Sequence, residues 1–493
     1  MENRVLLGIA LFAAISLAGF FLSLYAVSGN AAYWWDEAEY GILSRSMTQN
    51  GYFGFFGGPS YRPPMLPVYI AILRGLVGEL AWILIIPLFS ALSAGAIFIL
   101  SRKLFGETAA VIASILMLSS SLYIFYSGRL LTEVPGIFFS ALSAYFFFKA
   151  FEEKRPRDFL LLCLFSLTAF LVYYRFSMML VSMALFALLF RTKGILENLK
   201  PILASLAIFL ILLAPLLLYS NSYFGSFIGL FSSSYSGQQP EPLDWFISNI
   251  GHIFSNMYVV AFTIIAFIYA LAFGQKPIRF LALLTIISFI SASVLLNHKE
   301  DRYLMPLFPI VFMLIAGFCA VVLEKAYSAI KGFSSAHMEK GAIYISASIL
   351  VLFLLYQSTL ANMGQGLSLF ESKKASFGDV KEAALFVRDS TLPQDAVMSD
   401  SVTAMFYMDR YSAGFSSSNI SYVQGLLESK KPKYLLITAY ESRDAYINAI
   451  NNMKNLKVAA NSVEYVFLHP EKFQLEKVFP TETSPYVMVF KII

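Results

Sequence analysis

Charged side chains are scarce in this sequence of 493 residues, where Asp, Glu, Lys and Arg make up 14%. A soluble domain carries about 25% of them. Hydrophobic residues make up 58%, and the mean hydropathy is +0.67. The composition therefore predicts a protein that lies mostly within a lipid bilayer. The net charge of +5 is modest, and we expect no nucleic-acid partner.

Cysteine and histidine are also scarce. The two cysteines, Cys163 and Cys319, fall inside apolar runs, which disfavours a disulfide framework or a thiolate zinc site. The four histidines are scattered without metal-ligand spacing; they are His252, His298, His337 and His469. The sequence thus requires no cofactor, and a divalent metal, although compatible with the chemistry below, has no ligand pattern to support it.

Apolar runs long enough to cross a bilayer recur along the first 360 residues. The first, residues 5–27, is longer than a typical signal-peptide core, so we favour an uncleaved span. The other predicted spans are 81–101, 108–126, 135–151, 159–172, 176–190, 201–220, 252–273, 278–296, 303–323 and 341–360. This gives about eleven transmembrane helices. The short runs 159–172 and 176–190 are interrupted by the sequence YYR, so they are either two spans or one long tilted helix.

The positive-inside rule fixes the expected orientation. With a cytoplasmic N-terminus, clusters of Lys and Arg fall in the inner loops, whereas the outer loop 221–251 holds none. We therefore expect a multi-pass protein of the plasma membrane whose C-terminal domain is extracytoplasmic. One span fewer would place that domain on the other side.

Two segments differ from plain spans and connectors. The first outer loop, 30–80, is broken by Gly and Pro between 51 and 59, and its apolar stretch 65–77 predicts an amphipathic helix in the membrane interface. The tail, 371–493, predicts a small α/β domain beside a transmembrane domain of residues 1–360. In the tail we expect helices at 379–390 and 441–453 and strands at 396–398, 434–438 and 486–492.

Charged motifs from four distant segments fall at the predicted outer face. They are YWWDEAEY at 33–40, YRPP at 61–64, GRLLTE at 128–133 and NHKEDRY at 297–303. In the first motif we expect Asp36 and Glu37 to be functional and Glu39 to be solvated. Acids and bases from four segments at one membrane depth predict a site at that face.

This set of residue types fits transfer of a sugar from a lipid-linked phosphosugar. Arginine and lysine would stabilise the negative charge that grows on a polyprenyl phosphate leaving group. A carboxylate would accept the proton of the acceptor hydroxyl. Direct displacement by that hydroxyl would invert the anomeric centre. Such a donor has no nucleotide diphosphate for a metal to chelate.

Each motif also has a structural interpretation. Arg62 could be an interfacial arginine that extends its head to water, and Arg129 and Glu133 could form a pair that caps the next helix. The stretch 298–302 could be a charged outer loop, and Arg175 could anchor the end of a span. These alternatives stay open at the level of sequence.

Other protein classes share some of these features. A transporter or flippase of lipid-linked glycans would also carry charges near its spans, but usually at the bilayer midplane in broken or repeated helices. Here the charges gather at helix ends, and no internal repeat is evident. A glycan polymerase or ligase would share the donor chemistry, and a membrane scaffold would work through its tail alone.

Taken together, the motifs resemble the GT-C superfamily of polytopic glycosyltransferases. The similarity is to the branch that holds protein O-mannosyltransferases and lipid A aminoarabinose transferases. Residues 35–41 look like its first-loop acidic motif, and 61–64 like its Lys/Arg-Pro-Pro motif. Residues 128–133 look like its second acidic site, 298–303 resemble the His-Lys-Glu-x-Arg motif, and 380–410 look like the extracytoplasmic domain of prokaryotic members.

The resemblance implies roles for individual residues. Asp36 would be the catalytic base, Glu37 would support it, and Glu133 would orient the acceptor or the sugar, although the family commonly has Asp at this third position. The residues expected to hold the donor phosphate are Arg62, Arg129, His298, Lys299 and Arg302. The residues expected in the substrate pocket are Tyr40, Tyr61 and Tyr303.

The resemblance also limits the substrates. The expected donor is a polyprenyl-phosphate hexose, with mannose as a specific guess, and the expected acceptor is a hydroxyl on a protein or glycolipid. The WWD at 34–36 only begins like the Trp-Trp-Asp-Tyr-Gly motif of oligosaccharyltransferases. Transfer of a whole oligosaccharide to asparagine is therefore disfavoured.

Overall fold

The computed structural model describes residues 2–51, 53–55, 58–233, 240–254, 256–331, 338–441, 459–479 and 487–493. The chain forms two compact units. Unit 1 comprises Met1–Ser28 and Tyr61–Glu371, and unit 2 comprises Gly29–Ser60 and Ser372–Ile493.

The elements up to the end of the described spans are, in chain order, helices α1 (Glu2–Gly29) and α2 (Trp35–Asn50), strands β1 (Gly54–Phe55) and β2 (Gly58–Pro59), and helices α3 (Met65–Val77), α4 (Ala81–Phe105), α5 (Glu107–Ser119), α6 (Ser121–Ser127), α7 (Glu133–Glu153), α8 (Pro156–Val172), α9 (Ser177–Phe190), α10 (Thr192–Glu197), α11 (Leu199–Phe224), α12 (Gly229–Ser233), α13 (Trp245–Ser248), α14 (Ile250–Ile253), α15 (Met257–Phe273), α16 (Lys276–Leu295), α17 (Phe308–Lys331) and α18 (Met338–Lys373).

Unit 1 confirms the prediction of a polytopic helical protein, since the described residues of each predicted span are mostly helical. Within the described residues, seven helical stretches are long and apolar enough to cross a membrane, and the pair α5 and α6, bent by 65°, makes an eighth. The other three predicted spans correspond to α8, α9 and α15, and these helices have 17, 14 and 17 residues. These lengths lie at or below the usual lower limit of about 17 residues.

Helices α8 and α9 are two antiparallel helices, which answers the question that the sequence left open. Tyr173 is extended, with φ −149° and ψ 97°, and ends α8; a short 3-10 turn, Tyr174–Phe176, then leads into α9. Phe159 at the start of α8 and Leu188 at the end of α9 line the same cavity. The chain therefore reverses direction at this turn.

Helix α3 folds back against α4 because Gly78 adopts a positive φ of 64° between them, a conformation that favours glycine. The ring of Tyr69 lies 5.3 Å from that of Phe89 on α4 and 6.0 Å from that of Phe139 on α7, measured between centroids. The helix predicted at 65–77 thus exists and packs on the bundle; its placement in a membrane interface stays a prediction.

Unit 2 confirms the predicted α/β domain. Its further elements are helix α19 (Gly378–Asp389), strand β3 (Ala396–Ser399), helix α20 (Val402–Met408), strand β4 (Tyr411–Gly414), helix α21 (Ile420–Lys430), strand β5 (Tyr434–Thr438), helix α22 (Ser462–Leu468) and strands β6 (Phe473–Phe479) and β7 (Val487–Ile492). The sheet order is β4-β3-β5-β7-β6, with β4, β3 and β5 parallel and β7 antiparallel to both neighbours.

Apolar side chains cover both faces of this sheet. Helix α19 packs on one face through residues such as Val380 and Val387, and α21 and α22 pack on the other through Val423 and Val463. The predicted helix 379–390 and the predicted strands 396–398 and 434–438 match α19, β3 and β5 closely. The predicted helix 441–453 and residue 486 of the last predicted strand lie outside the described residues, apart from Glu441.

The division into units differs from the predicted boundary in one respect. Residues 30–80 were expected to belong to the transmembrane domain, but the Gly29–Ser60 part groups with the C-terminal domain. The physical reason is direct packing: the backbone N–H of Ala31 donates to the Lys374 carbonyl at 2.8 Å, and Lys381 Nζ donates to the Ala31 carbonyl at 2.9 Å.

Candidate active site

The first acidic motif lies in unit 2, at the N-terminus of α2. Asp36 and Glu37 occupy the first turn, where carboxylates are favoured by the helix dipole. Glu37 is 1% exposed, and its Oε2 accepts a hydrogen bond from the backbone N–H of Trp34 at 2.6 Å. Asp36 is half-buried. Glu37 therefore caps the helix, and Asp36 beside it is the more accessible carboxylate.

Two further residues of this motif are buried. The expectation that Glu39 is solvated is wrong, because its side chain is 3% exposed. Tyr40, expected in the substrate pocket, is 4% exposed. Leu43, four residues later and therefore on the same side of α2, is also fully buried, so Glu39 lies on a covered side of the helix.

Helix α2 is held by α20 of the C-terminal domain. Arg45 Nη1 donates to the Phe406 carbonyl at 2.7 Å and lies 3.2 Å from Asp409 Oδ1. Gly41 allows close packing here, since a Cβ at that position would lie 2.5 Å from the Phe406 ring. The segment that leads into α2 is held as well, because the backbone N–H of Tyr33 donates to the Tyr407 hydroxyl at 2.9 Å.

The second group of charged residues lies in unit 1 and is named here the glutamate–arginine cluster. It consists of Glu133, Arg175, Glu300, Arg302 and Tyr303. Arg302 Nη1 lies 3.5 Å from Glu133 Oε1, and Arg302 Nε lies 2.7 Å from Glu300 Oε2. The Tyr303 hydroxyl donates to Glu300 Oε1 at 2.5 Å, and Arg175 Nη2 donates to the Tyr303 hydroxyl at 2.5 Å. The guanidinium of Arg175 also covers the Tyr303 ring at 3.5 Å.

The cluster is largely shielded from solvent, which strengthens its electrostatics. Burial alone would raise the pKa of Glu300. The Arg302 charge and the hydrogen bonds from Tyr303 and Arg302 outweigh that effect, so the pKa of the Glu300 carboxyl lies below its ordinary value. Glu300 is therefore ionised at neutral pH and fixes the orientation of Arg302.

Three of the four predicted motifs meet around this cluster. Arg302 joins the 297–303 motif to Glu133 of the 128–133 motif. The Tyr174 hydroxyl donates to the Arg62 carbonyl at 3.2 Å, which joins the 61–64 motif to the turn that carries Arg175. The guanidinium of Arg62 lies over the Tyr61 ring at 5.2 Å. Residues that the sequence separates widely are thus neighbours in unit 1.

The other predicted phosphate ligands have defined surroundings. Arg129 is 1% exposed and its guanidinium lies 5.5 Å from the Phe125 ring centroid. Lys299 is 2% exposed and its ammonium donates to the Glu241 carbonyl at 3.0 Å. His298 Nε2 lies 3.2 Å from Glu300 Oε1. Their roles in phosphate binding stay predictions.

Sequence reasoning left out or left open several residues of this region. Arg175 was an open case between function and anchoring; its contact with Tyr303 places it in the cluster. No sequence pattern indicated Glu241, whose backbone N–H donates to the Asn297 carbonyl at 2.6 Å, or His252, whose Nδ1 lies 3.7 Å from Asp301 Oδ2.

No group of three or more His, Cys, Asp or Glu side chains that could hold a metal occurs among the residues described. The cluster instead contains two guanidinium groups and two carboxylates. A phosphate that binds here would compete with Glu133 for Arg302. Its binding would therefore depend on the Arg302–Glu133 contact.

Two family models match consecutive parts of the chain. The model described as dolichyl-phosphate-mannose-protein mannosyltransferase matches residues 61–219, and the model of the Alg9-like mannosyltransferase family matches residues 240–416. No sequence among curated proteins gives a significant match.

Solved structures share the fold over nearly the whole chain. ArnT from Cupriavidus metallidurans, bound to undecaprenyl phosphate, has 14% identity and a TM-score of 0.69, with 98% of this chain and 97% of that chain covered. The oligosaccharyltransferase AglB from Archaeoglobus fulgidus, in complex with an inhibitory peptide and a dolichol-phosphate, has 10% identity and a TM-score of 0.60, with 99% and 74% covered. The mycobacterial arabinofuranosyltransferase AftD has 12% identity and a TM-score of 0.55, with 98% and 40% covered.

Proposed function

Since this chain is a glycosyltransferase of the GT-C superfamily, we propose that it moves one hexose, with mannose the first candidate, from a polyprenyl-phosphate donor to a hydroxyl acceptor. The acceptor is a hydroxyl of a protein or a glycolipid. The lipid-phosphate donor is supported by two structural neighbours, which were solved with undecaprenyl phosphate and with a dolichol-phosphate. Catalysis takes place at the extracytoplasmic face.

One observation supports this proposal above the others: the Arg302–Glu133 contact at 3.5 Å brings the basic 297–303 motif to the second acidic motif. A lipid-phosphate donor needs cations at its leaving group and a carboxylate near the sugar. The cluster supplies both residue types at the ends of several spans. Ion-conducting or substrate-conducting charges of a transporter would be expected at the midplane instead.

In the proposed reaction the acceptor oxygen attacks the anomeric carbon while its proton passes to the Asp36 carboxylate. The bond between the anomeric carbon and the phosphate oxygen breaks, and its electron pair leaves with the polyprenyl phosphate. Arg302 and Arg62 stabilise that charge, and the configuration of the anomeric carbon inverts. Glu37 fixes the start of α2, and Glu133 orients the sugar or the acceptor.

The test is a transfer assay with the purified full chain and a panel of radiolabelled polyprenyl-phosphate sugars. An extract of native membranes supplies the acceptors. We expect label to pass from one donor of the panel to a hydroxyl acceptor in that extract. The Asp36→Asn variant should bind the donor without turnover, whereas Asp389→Asn, which changes a 67% exposed carboxylate of the same unit, should keep full activity. If the folded protein transferred label from none of the donors, the proposal would be contradicted.

A further inference from the structure

A large apolar cavity lies among α7, α8, α9, α10 and α11. Its volume is about 540 Å³, within the range of roughly 300–1,000 Å³ that is usual for ligand sites. Its wall includes Phe151, Phe159, Leu188 and Ile195. These residues lie toward the start of α8 and the end of α9, whereas Arg175 of the glutamate–arginine cluster lies in the turn at the opposite ends of these two helices. The cavity is therefore separate from the proposed active site.

The cavity suits a hydrocarbon chain better than water. Nearly all of its lining is aliphatic or aromatic, and a water molecule needs two to four polar partners to be held in a buried site. Helix α11, which forms one wall, is mostly exposed, with 6% of its apolar window buried. Since α11 faces the surrounding bilayer, a lipid chain can reach the cavity beside it.

Basic residues surround the end of the cavity that lies near the start of α8 and the end of α9. The segments 149–158 and 191–200, which contribute lining residues, carry seven Lys or Arg and four Asp or Glu. Each of the four acids has a basic neighbour; the pairs are Glu152–Arg191 at 2.9 Å, Glu153–Arg155 at 3.1 Å, Asp158–Lys149 at 3.1 Å and Glu197–Lys154 at 2.6 Å. The net positive charge thus resides on Arg157, Lys193 and Lys200.

These basic side chains are well placed for a headgroup. Arg157, Lys193 and Lys200 are the second residues of α8, α10 and α11, the three helices that also carry the lining residues Phe159, Ile195 and Ile202. All three are exposed, and Lys193 has 91% of its side chain exposed and reaches Glu197 only at 4.0 Å. Basic pockets between membrane helices are a recurrent site for anionic lipid headgroups.

We propose that this cavity binds one acyl chain of an anionic phospholipid, whose headgroup phosphate contacts Arg157, Lys193 and Lys200. Neither the apolar wall nor the basic rim alone would specify this ligand. Together they match a molecule that has a hydrocarbon chain and a negative headgroup at the membrane surface. A neutral phospholipid lacks the charge, and the polyprenyl chain of the donor would have its phosphate at the other helix ends.

The test measures lipid that stays bound to the purified full chain. After exchange into detergent with equal amounts of phosphatidylglycerol and phosphatidylcholine, native mass spectrometry should show phosphatidylglycerol retained in about fivefold or greater excess. Because a ligand that binds only the folded state stabilises it, phosphatidylglycerol should also raise the Tm of the wild-type protein more than phosphatidylcholine does.

Two variants locate the site. Ala184 is exposed and lines the cavity, so Ala184→Trp fills the space without crowding the protein and should reduce bound phosphatidylglycerol about fivefold. The matched control is Leu185→Trp, at the next position of α9, 42% exposed and outside the cavity lining. The double variant Lys193→Gln with Lys200→Gln should lose the preference for anionic lipid, whereas Lys325→Gln on α17 should keep it.

Several results would overturn the proposal. Equal retention of the two phospholipids would refute the anionic headgroup. Retention of added undecaprenyl phosphate that Ala184→Trp abolishes would assign the cavity to the donor chain instead. Equal binding by Ala184→Trp and Leu185→Trp would place the lipid elsewhere, and absence of any bound lipid would refute the site. None of these outcomes depends on glycosyl transfer.

Discussion

Two glutamates in the first turns of two helices have different surroundings. Glu37 lies in the first turn of α2 and Glu133 in the first turn of α7, and they are 1% and 2% exposed. Glu37 binds the backbone N–H of Trp34, three residues earlier, whereas Glu133 lies 3.5 Å from Arg302 on a distant segment. An acid at a helix start can therefore be a local cap or a link between remote motifs, and only the tertiary partner distinguishes the two.

The contacts that hold α2 in place also differ in kind from those that hold the glutamate–arginine cluster together. In unit 2 the acidic helix α2 depends on backbone and ring contacts with α20, so its position is set by the C-terminal domain. In unit 1 the cluster depends on charge pairing among three span ends. Variants at the contact between α2 and α20 should accordingly act through packing, and variants of the cluster in unit 1 through electrostatics.

The largest effect is expected from Asp36→Asn. If Asp36 is the general base, its loss should lower kcat by about 10²–10⁴-fold, while donor affinity changes little because the amide has nearly the same shape. Initial rates and donor titration on the purified protein measure the two quantities. Glu37→Gln should instead lower thermal stability, because it weakens the cap on Trp34. If Asp36→Asn and Glu37→Gln lowered kcat equally and neither lowered the Tm, the predicted difference between a catalytic and a capping acid would be wrong.

Arg302→Gln should follow, with a loss of about 10²-fold in kcat/KM. If Arg302 holds the donor phosphate as proposed, the change removes a charge-assisted contact worth roughly 1.5–3 kcal/mol, and it leaves Glu133 and Glu300 without this cation. Arg302→Lys should restore part of the rate but not the forked geometry. Steady-state kinetics over donor concentration test this, and a variant with unchanged donor KM and kcat would remove Arg302 from the site.

Gly41→Ala should have a smaller effect that reaches activity through packing. The new Cβ would lie 2.5 Å from the Phe406 ring, and overpacking of this kind costs typically 1–3 kcal/mol. We expect a lower Tm and about a tenfold lower kcat as α2 shifts. The control is Gly425→Ala in α21, where no heavy atom lies within 4 Å of the added Cβ. Full activity in both variants would show that α20 does not position α2.

The smallest effect concerns the pH dependence of unit 2. Burial, together with the nearby Asp400 carboxylate, raises the pKa of Glu441 from 4.5 to about 8. Between these two values the folded state binds more protons than the unfolded state, so stability falls as pH rises from about 4.5 to 8. Glu441→Gln should flatten this slope and raise the Tm at pH 8 by a few degrees.

Its control is Glu428→Gln on the exposed side of α21, which should leave the slope of Tm against pH unchanged. Thermal scans of the two variants and the wild type over this pH range are sufficient. A slope that persists in Glu441→Gln would assign the effect to another group.

The sequence predicted buried elements well and exposed or short ones poorly. Strand β5 was predicted at its observed bounds because all five of its residues are buried and the first four are hydrophobic. Strand β6 was missed because it is the edge of the sheet, and its five central residues, QLEKV, are exposed and lack alternation. Helix α20 was missed because seven mostly apolar residues do not distinguish a helix from a strand.

The residues of the candidate site were also predicted only in part. Residue type and span position were enough to select Glu133, Arg302 and Tyr303, since ionisable groups at span ends are conspicuous in an apolar sequence. Their pairing was not predictable, because it depends on the chain reversal at Tyr173 that brings Arg175 to Tyr303. The burial of Glu39 was missed because glutamate is usually solvated, and only the tertiary packing shows that its side of α2 is covered.

The anomeric configuration of the product tests the central claim most directly. Transfer from a polyprenyl-phosphate donor of known configuration, analysed by NMR of the purified product, should give the inverted anomer, because one displacement with Asp36 as base inverts the centre once. Asp36→Asn should give no product in the same assay. A product with retained configuration, or full transfer by Asp36→Asn, would contradict the single-displacement account.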